Sequence, residues 1–288
     1  MSDEGHVVVP GGRVWYRRLG GGRIPLLCLH GGPGATHDAL TPLAALADER
    51  EVIFYDQLGS GRSDRASDPA LWTLGRSLAE LAAVREALGL EELHLLGQSW
   101  GGLLAVEHAL DGGTGLASLL LTSPLISVPR WVEDAERLKG DLPEDVRATI
   151  DQHERSGFTH CPEYVAATLV FAKRHVCRLD PWPEELERMF AGFGAEPYET
   201  MWGPSEFTQT GNLAGRDPTG RLGELAMPVL FTCGRHDEAT PESTASISDL
   251  VPGAELVVFE ESAHTAPLEE RDRFLAVVRD FLARAEAA

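Results

Sequence analysis

The sequence predicts an α/β fold: a mostly parallel sheet with helices on both faces and a helical cap inserted between two of its strands. Three observations carry this. Short, nearly continuous apolar runs ("IPLLCLH", "EVIFYD", "LHLLG", "LASLLLTSP", "PVLFTCG" and "AELVVFE") recur along the chain, as strands buried on both faces require. Helical patterns separate several of these runs, and such alternation places helices against a parallel sheet. Between about Val128 and Arg221 the alternation stops, and prolines, aromatics and helix formers replace any clear buried strand.

In chain order, "HVVVP" and "RVWYRRL" flank Gly11 and Gly12 and read as an opening hairpin. "IPLLCLH" then runs into a glycine-rich loop, His30-Gly31-Gly32-Pro33-Gly34. Leu78, Leu81, Ala82, Arg85 and Leu88 mark a helix that stops at Gly89. Residues Gly101 to Leu110 form the next, ending near Asp111-Gly112-Gly113. The interrupted region carries Trp131, Phe158, Tyr164, Phe171, Trp182, Phe190, Phe193, Tyr198, Trp202 and Phe207, and a helical excursion there is expected to cap the ends of the strands, where such sheets bind ligands. Strand-helix order resumes at Met227. The expected organisation is core 1–127, cap 128–221 and core 222–288.

The chain has 288 residues, enough for one large core with an inserted subdomain. With 43% hydrophobic and 24% charged residues it has ordinary globular composition. A formal net charge of -20 argues against nucleic-acid or anionic-membrane partners and in favour of cationic ones. No apolar run approaches the roughly 20 residues of a spanning helix, and Met1 to Gly5 lacks the features of a signal peptide, so a cytoplasmic location is expected. Of the four cysteines, Cys28 and Cys233 sit in apolar strand-like runs and read as small buried hydrophobes, whereas Cys161 and Cys177 lack the companions of a metal site. No metal or organic cofactor is expected.

The chemistry concentrates at strand ends. Gly97-Gln98-Ser99-Trp100-Gly101 follows a strand and opens a helix, the context of a G-x-S-x-G nucleophile elbow. A serine hydroxyl needs a base that is itself oriented by an acid. The chain order Ser, Asp, His of α/β-hydrolases is met by Ser99, Asp237 after "PVLFTCG" and His264 after "AELVVFEESAH". Of the ten histidines, only His264 has the position that this order demands. The glycine-rich loop His30–Gly34 and the amide of Trp100 are candidate oxyanion donors.

Taken together, "HGGPG", "FYDQLGSGRSD", "LLGQSWGG", "MWGPSEFTQTGNL" and "CGRHDEATP" resemble the proline iminopeptidase family of α/β-hydrolases, which includes the tricorn interacting factor peptidases. The resemblance runs from about Arg13 to Leu275. It implies Ser99, Asp237 and His264 as the triad, and Gly32 and Trp100 as the oxyanion hole. It also implies that Glu206 and Glu238 bind the free amino terminus of a small substrate. A buried carboxylate pair suits that task, because it holds an ammonium by charge-assisted hydrogen bonds and is left unpaired by an internal amide. Asp56, Gln57, Gly59, Gly61 and Arg62 read as scaffolding for the oxyanion loop.

Where the family commonly has Trp-Asp after the "TG" of the cap motif, this chain has Arg216-Asp217. The expectation is a serine hydrolase that releases an N-terminal residue, proline or another small apolar one, from short peptides or amides. Amino-acid amidase or esterase action and biosynthetic acyl transfer use the same machinery, and a non-catalytic ligand-binding fold is the remote alternative.

Overall fold

The computed structural model describes residues 2–287. Eight strands form one sheet in the order β1-β2-β4-β3-β5-β6-β7-β8. β1 (Ser2–Val9) and β2 (Gly12–Leu19) make the opening antiparallel hairpin, and β2 pairs antiparallel with β4 (Arg50–Tyr55). From β4 onward every pairing is parallel, through β3 (Arg23–Leu29), β5 (Leu93–Gln98), β6 (Leu116–Thr122), β7 (Val229–Gly234) and β8 (Glu255–Phe259).

The continuous apolar runs are explained by burial on both faces. In β3, Leu27 and Leu29 join one core cluster while Leu26 and Cys28 join the other, and Ile53 and Tyr55 of β4 oppose Val52 and Phe54 in the same way. This is the two-residue period of a strand with no solvent face. The first cluster is closed by α1 (Leu74–Leu88), through Leu81 and Val84, and by α2 (Trp100–Leu110), through Leu103 and Val106. α1 begins at the Thr73 cap and ends where Gly89 turns left-handed at φ 68°. The second cluster is covered by the 3-10 segment His37–Asp48 and by the C-terminal helix, which contributes Phe274, Val278 and Phe281.

Between β6 and β7 the chain forms α3 (Val128–Gly140), α4 (Glu144–Ser156), α5 (Pro162–His175), α6 (Glu184–Ala191) and α7 (Ala195–Met201). α3, α4 and α5 share a small core of their own around Ile150, Tyr164 and Phe171. The two ends of the excursion are tied together, since Val128 N donates to Arg216 O at 3.0 Å. Arg216 also forks onto buried Glu107 of α2, with both nitrogens at 2.5 Å from the carboxylate. Arg216, standing where the resembled family commonly has Trp, therefore places a charge clamp where the excursion returns to the core. Asp217 accepts from Thr219 N at 3.1 Å and shapes the next turn. Among the described residues, no helix is long and apolar enough to cross a membrane.

Candidate active site

Ser99 sits between β5 and α2 with φ 53° and ψ -122°, a backbone conformation that costs energy for any residue with a side chain. The flanking glycines are required by close approach. A β-carbon at Gly97 would strike the Gly101 carbonyl, and one at Gly101 would strike the Leu29 carbonyl. Because those obstacles are backbone, Gly101→Ala is expected to destabilise the protein by about 3 kcal/mol. Urea unfolding measures this, and an unchanged midpoint would contradict the packing described.

Asp237 lies in the turn after β7, where Gly234 N and Ala239 N donate to its carboxylate at 3.0 and 2.8 Å. Those two amides fix the group so that Oδ1 stands 2.7 Å from His264 Nδ1. His264 follows β8 in a turn held by Glu269, which accepts from Ala263 N and Thr265 N at 2.9 and 3.2 Å. Burial by itself pushes the imidazole towards its neutral form. The charges of Asp237 and then Glu238 outweigh it and raise the His264 pKa to about 9.

The glycine-rich loop packs directly on the elbow, and a β-carbon at Gly31 would lie 3.1 Å from Ser99 Cβ. Gln57 braces both parts. Its amide donates to His30 Nε2 at 2.8 Å, its side-chain nitrogen donates to His30 O at 3.2 Å, and its Oε1 accepts from Trp100 Nε1 at 3.0 Å. Asp56 accepts from His37 N and Arg62 N, each at 3.0 Å. The helical excursion between β6 and β7 docks here through main chain: Gly194 N donates to Gly34 O at 2.7 Å, and Gly61 N to Gly192 O at 2.9 Å. Trp100, at the first position of α2, has an amide without an intrahelical acceptor.

A cavity of about 260 Å³ is lined by Gly31, Gly32, Ser99, His264, Glu206 and Glu238. Its remaining wall is mostly apolar, including Leu186, Met189, Phe190 and Phe193 from the helical excursion. Glu206 faces it from the segment after α7, with Trp131 Nε1 donating to Oε1 at 2.7 Å and Tyr198 OH to Oε2 at 3.0 Å. That segment is held in turn by Glu154 of α4, which accepts from Ser205 Oγ at 2.7 Å and from Thr208 Oγ1. Glu238, 7% exposed, places Oε1 3.7 Å from His264 Nε2. Burial raises the pKa of both glutamates, and for Glu238 the nearby charge of Glu206 adds to the rise.

All seven residues singled out in the sequence thus lie on or beside one site. Trp131 and Tyr198, which hold Glu206, were legible only as cap aromatics, since nothing local distinguishes an indole or phenol aimed at a carboxylate from one in a core.

The family model for the alpha/beta hydrolase fold matches residues 24–271. A proline iminopeptidase of Heyndrickxia coagulans is 47% identical over 285 residues, covering 98% of this chain and 99% of that one. Among solved structures, VinJ superposes with a TM-score of 0.94 at 37% identity, covering 98% of this chain and 99% of its own. A proline iminopeptidase of Mycobacterium smegmatis gives 0.90 at 38% identity, with 99% of each chain covered. A strained serine between two obligatory glycines, an Asp-His pair at the next strand ends and near-complete alignment with these relatives converge: the chain belongs to the proline iminopeptidase family of α/β-hydrolases.

Proposed function

We propose that the protein is a serine exopeptidase that releases N-terminal proline, or another small apolar residue, from short peptides and amides. Ser99 attacks the first carbonyl, and His264 takes its proton and passes it to the leaving amine. Asp237 keeps the imidazole oriented. The amides of Gly32 and Trp100 meet the developing oxyanion, each contributing about 3 kcal/mol. Water then releases the acyl group. Residues 128–221 act as a cap over the cavity, and Glu206 and Glu238 hold the substrate's primary or secondary ammonium group there.

The observation that carries this reading is that Ser99, His264 and two carboxylates, Glu206 and Glu238, line one largely apolar cavity. A carboxylate pair beside the nucleophile would admit a substrate whose charged amino group lies close to the carbonyl under attack. A panel of aminoacyl anilides, free and N-acetylated, tests it. Prolyl anilide is expected to be cleaved far faster than its N-acetyl form, and equal cleavage of the two would refute amino-terminal recognition.

A further inference from the structure

His264 has an acid at each ring nitrogen. Asp237 stands at Nδ1, and Glu238 Oε1 lies 3.7 Å from Nε2, the nitrogen that must accept the Ser99 proton. A carboxylate at that edge favours the imidazolium, which has no lone pair to offer a hydroxyl. The other titratable groups around the ring are Glu206 and Tyr198 from the cap side and His175 at the end of α5. His175 Nδ1 is engaged by the His236 carbonyl at 2.9 Å, and Glu269 is occupied by the turn amides. Among the described residues, no lysine or arginine lines the cavity. His264 is therefore the group there that can balance the carboxylates with positive charge.

We propose that the substrate's own ammonium switches on the general base: by neutralising Glu238 and Glu206 as it binds, it releases His264 to lose its proton and act on Ser99. One cation replaces another, and the displaced proton goes to solvent. The inference rests on the reading of Glu206 and Glu238 as the ammonium site, and gives Glu238 a second role, as a positioning charge for the base. Substrates without a free amino group then lose rate as well as affinity, because His264 stays protonated beside them.

The sign follows from the raised pKa of His264, about 9 in the free enzyme. Below that pH the base is protonated, so Ser99 should react slowly with a neutral fluorophosphonate and faster as pH rises through that value. Labelling rates across the neutral to alkaline range should give this profile. In Glu238→Gln the profile should move to lower pH by about one unit, the size expected for losing one partly screened charge at this range.

The unmodified enzyme provides the second arm, with pyrrolidine as a small cyclic ammonium whose binding is measured by calorimetry. Saturating pyrrolidine should shift the labelling profile in the same direction. Pyrrolidine bound without any shift, or an unshifted profile in Glu238→Gln, overturns the switch while leaving amino-terminal recognition intact. Failure of pyrrolidine to bind overturns that recognition, and the switch with it.

Discussion

Ser99→Ala is expected to lower turnover of prolyl anilide by roughly 10⁶-fold, the loss seen when a triad nucleophile is removed from a site whose parts act as a unit. The protein should keep its fold. Alanine is smaller than serine at a position whose strained φ of 53° is imposed by the glycines on either side, so the substitution deletes a hydroxyl facing the cavity and no core contact. Steady-state anilide hydrolysis reads the first effect and the thermal midpoint the second. Retained turnover in a folded variant would refute Ser99 as the nucleophile.

The second large effect is expected at Glu206. Glu206→Gln keeps the side chain's size and an acceptor for Trp131 Nε1 or Tyr198 OH, both of which hold the native carboxylate, but removes its charge. Losing one charged partner of a buried ammonium costs about 2–5 kcal/mol, so kcat/KM for free prolyl substrates should fall by about 30- to 5,000-fold. N-acetylated substrates, which bring no charge, should be unaffected or slightly improved. Parallel measurements on the two substrate classes separate loss of recognition from general damage, and an equal fall in both would refute the assignment.

Much of the fold was legible because a strand buried on both faces leaves an uninterrupted apolar run, as Leu26 to Leu29 and Val52 to Tyr55 do. The apolar positions that mark the first helix begin only at Leu78, whereas the helix starts at Leu74 behind the Thr73 cap; Gly75 and Arg76 hide its first turn from any apolar periodicity. The 3-10 segment His37–Asp48 was unread for a similar reason, since it carries Pro42 inside and follows neither strand nor α-helical spacing.

At the site, Ser99 and the glycine loop were legible because backbone strain demands particular residues in consecutive positions. The pairing of Arg216 with Glu107 joins residues 109 positions apart, and that of Glu238 with His264 joins two loops through the fold alone. Charge complementarity of that kind leaves no local trace. The adjacent acids Asp237 and Glu238 are both buried, and the fold sends them to opposite nitrogens of one imidazole.

The main-chain dock between Gly192–Gly194 and the loops at Gly34 and Gly61 bears on how such an enzyme changes over evolutionary time. The contact is made by peptide groups, so it tolerates any side-chain change that spares the glycines. Leu186, Met189, Phe190 and Phe193, which face the cavity from the same stretch of chain, can vary in size while their backbone stays seated beside the glycine-rich loop. New substrate preferences are then accessible by single substitutions in the cavity wall, with the catalytic frame inherited unaltered.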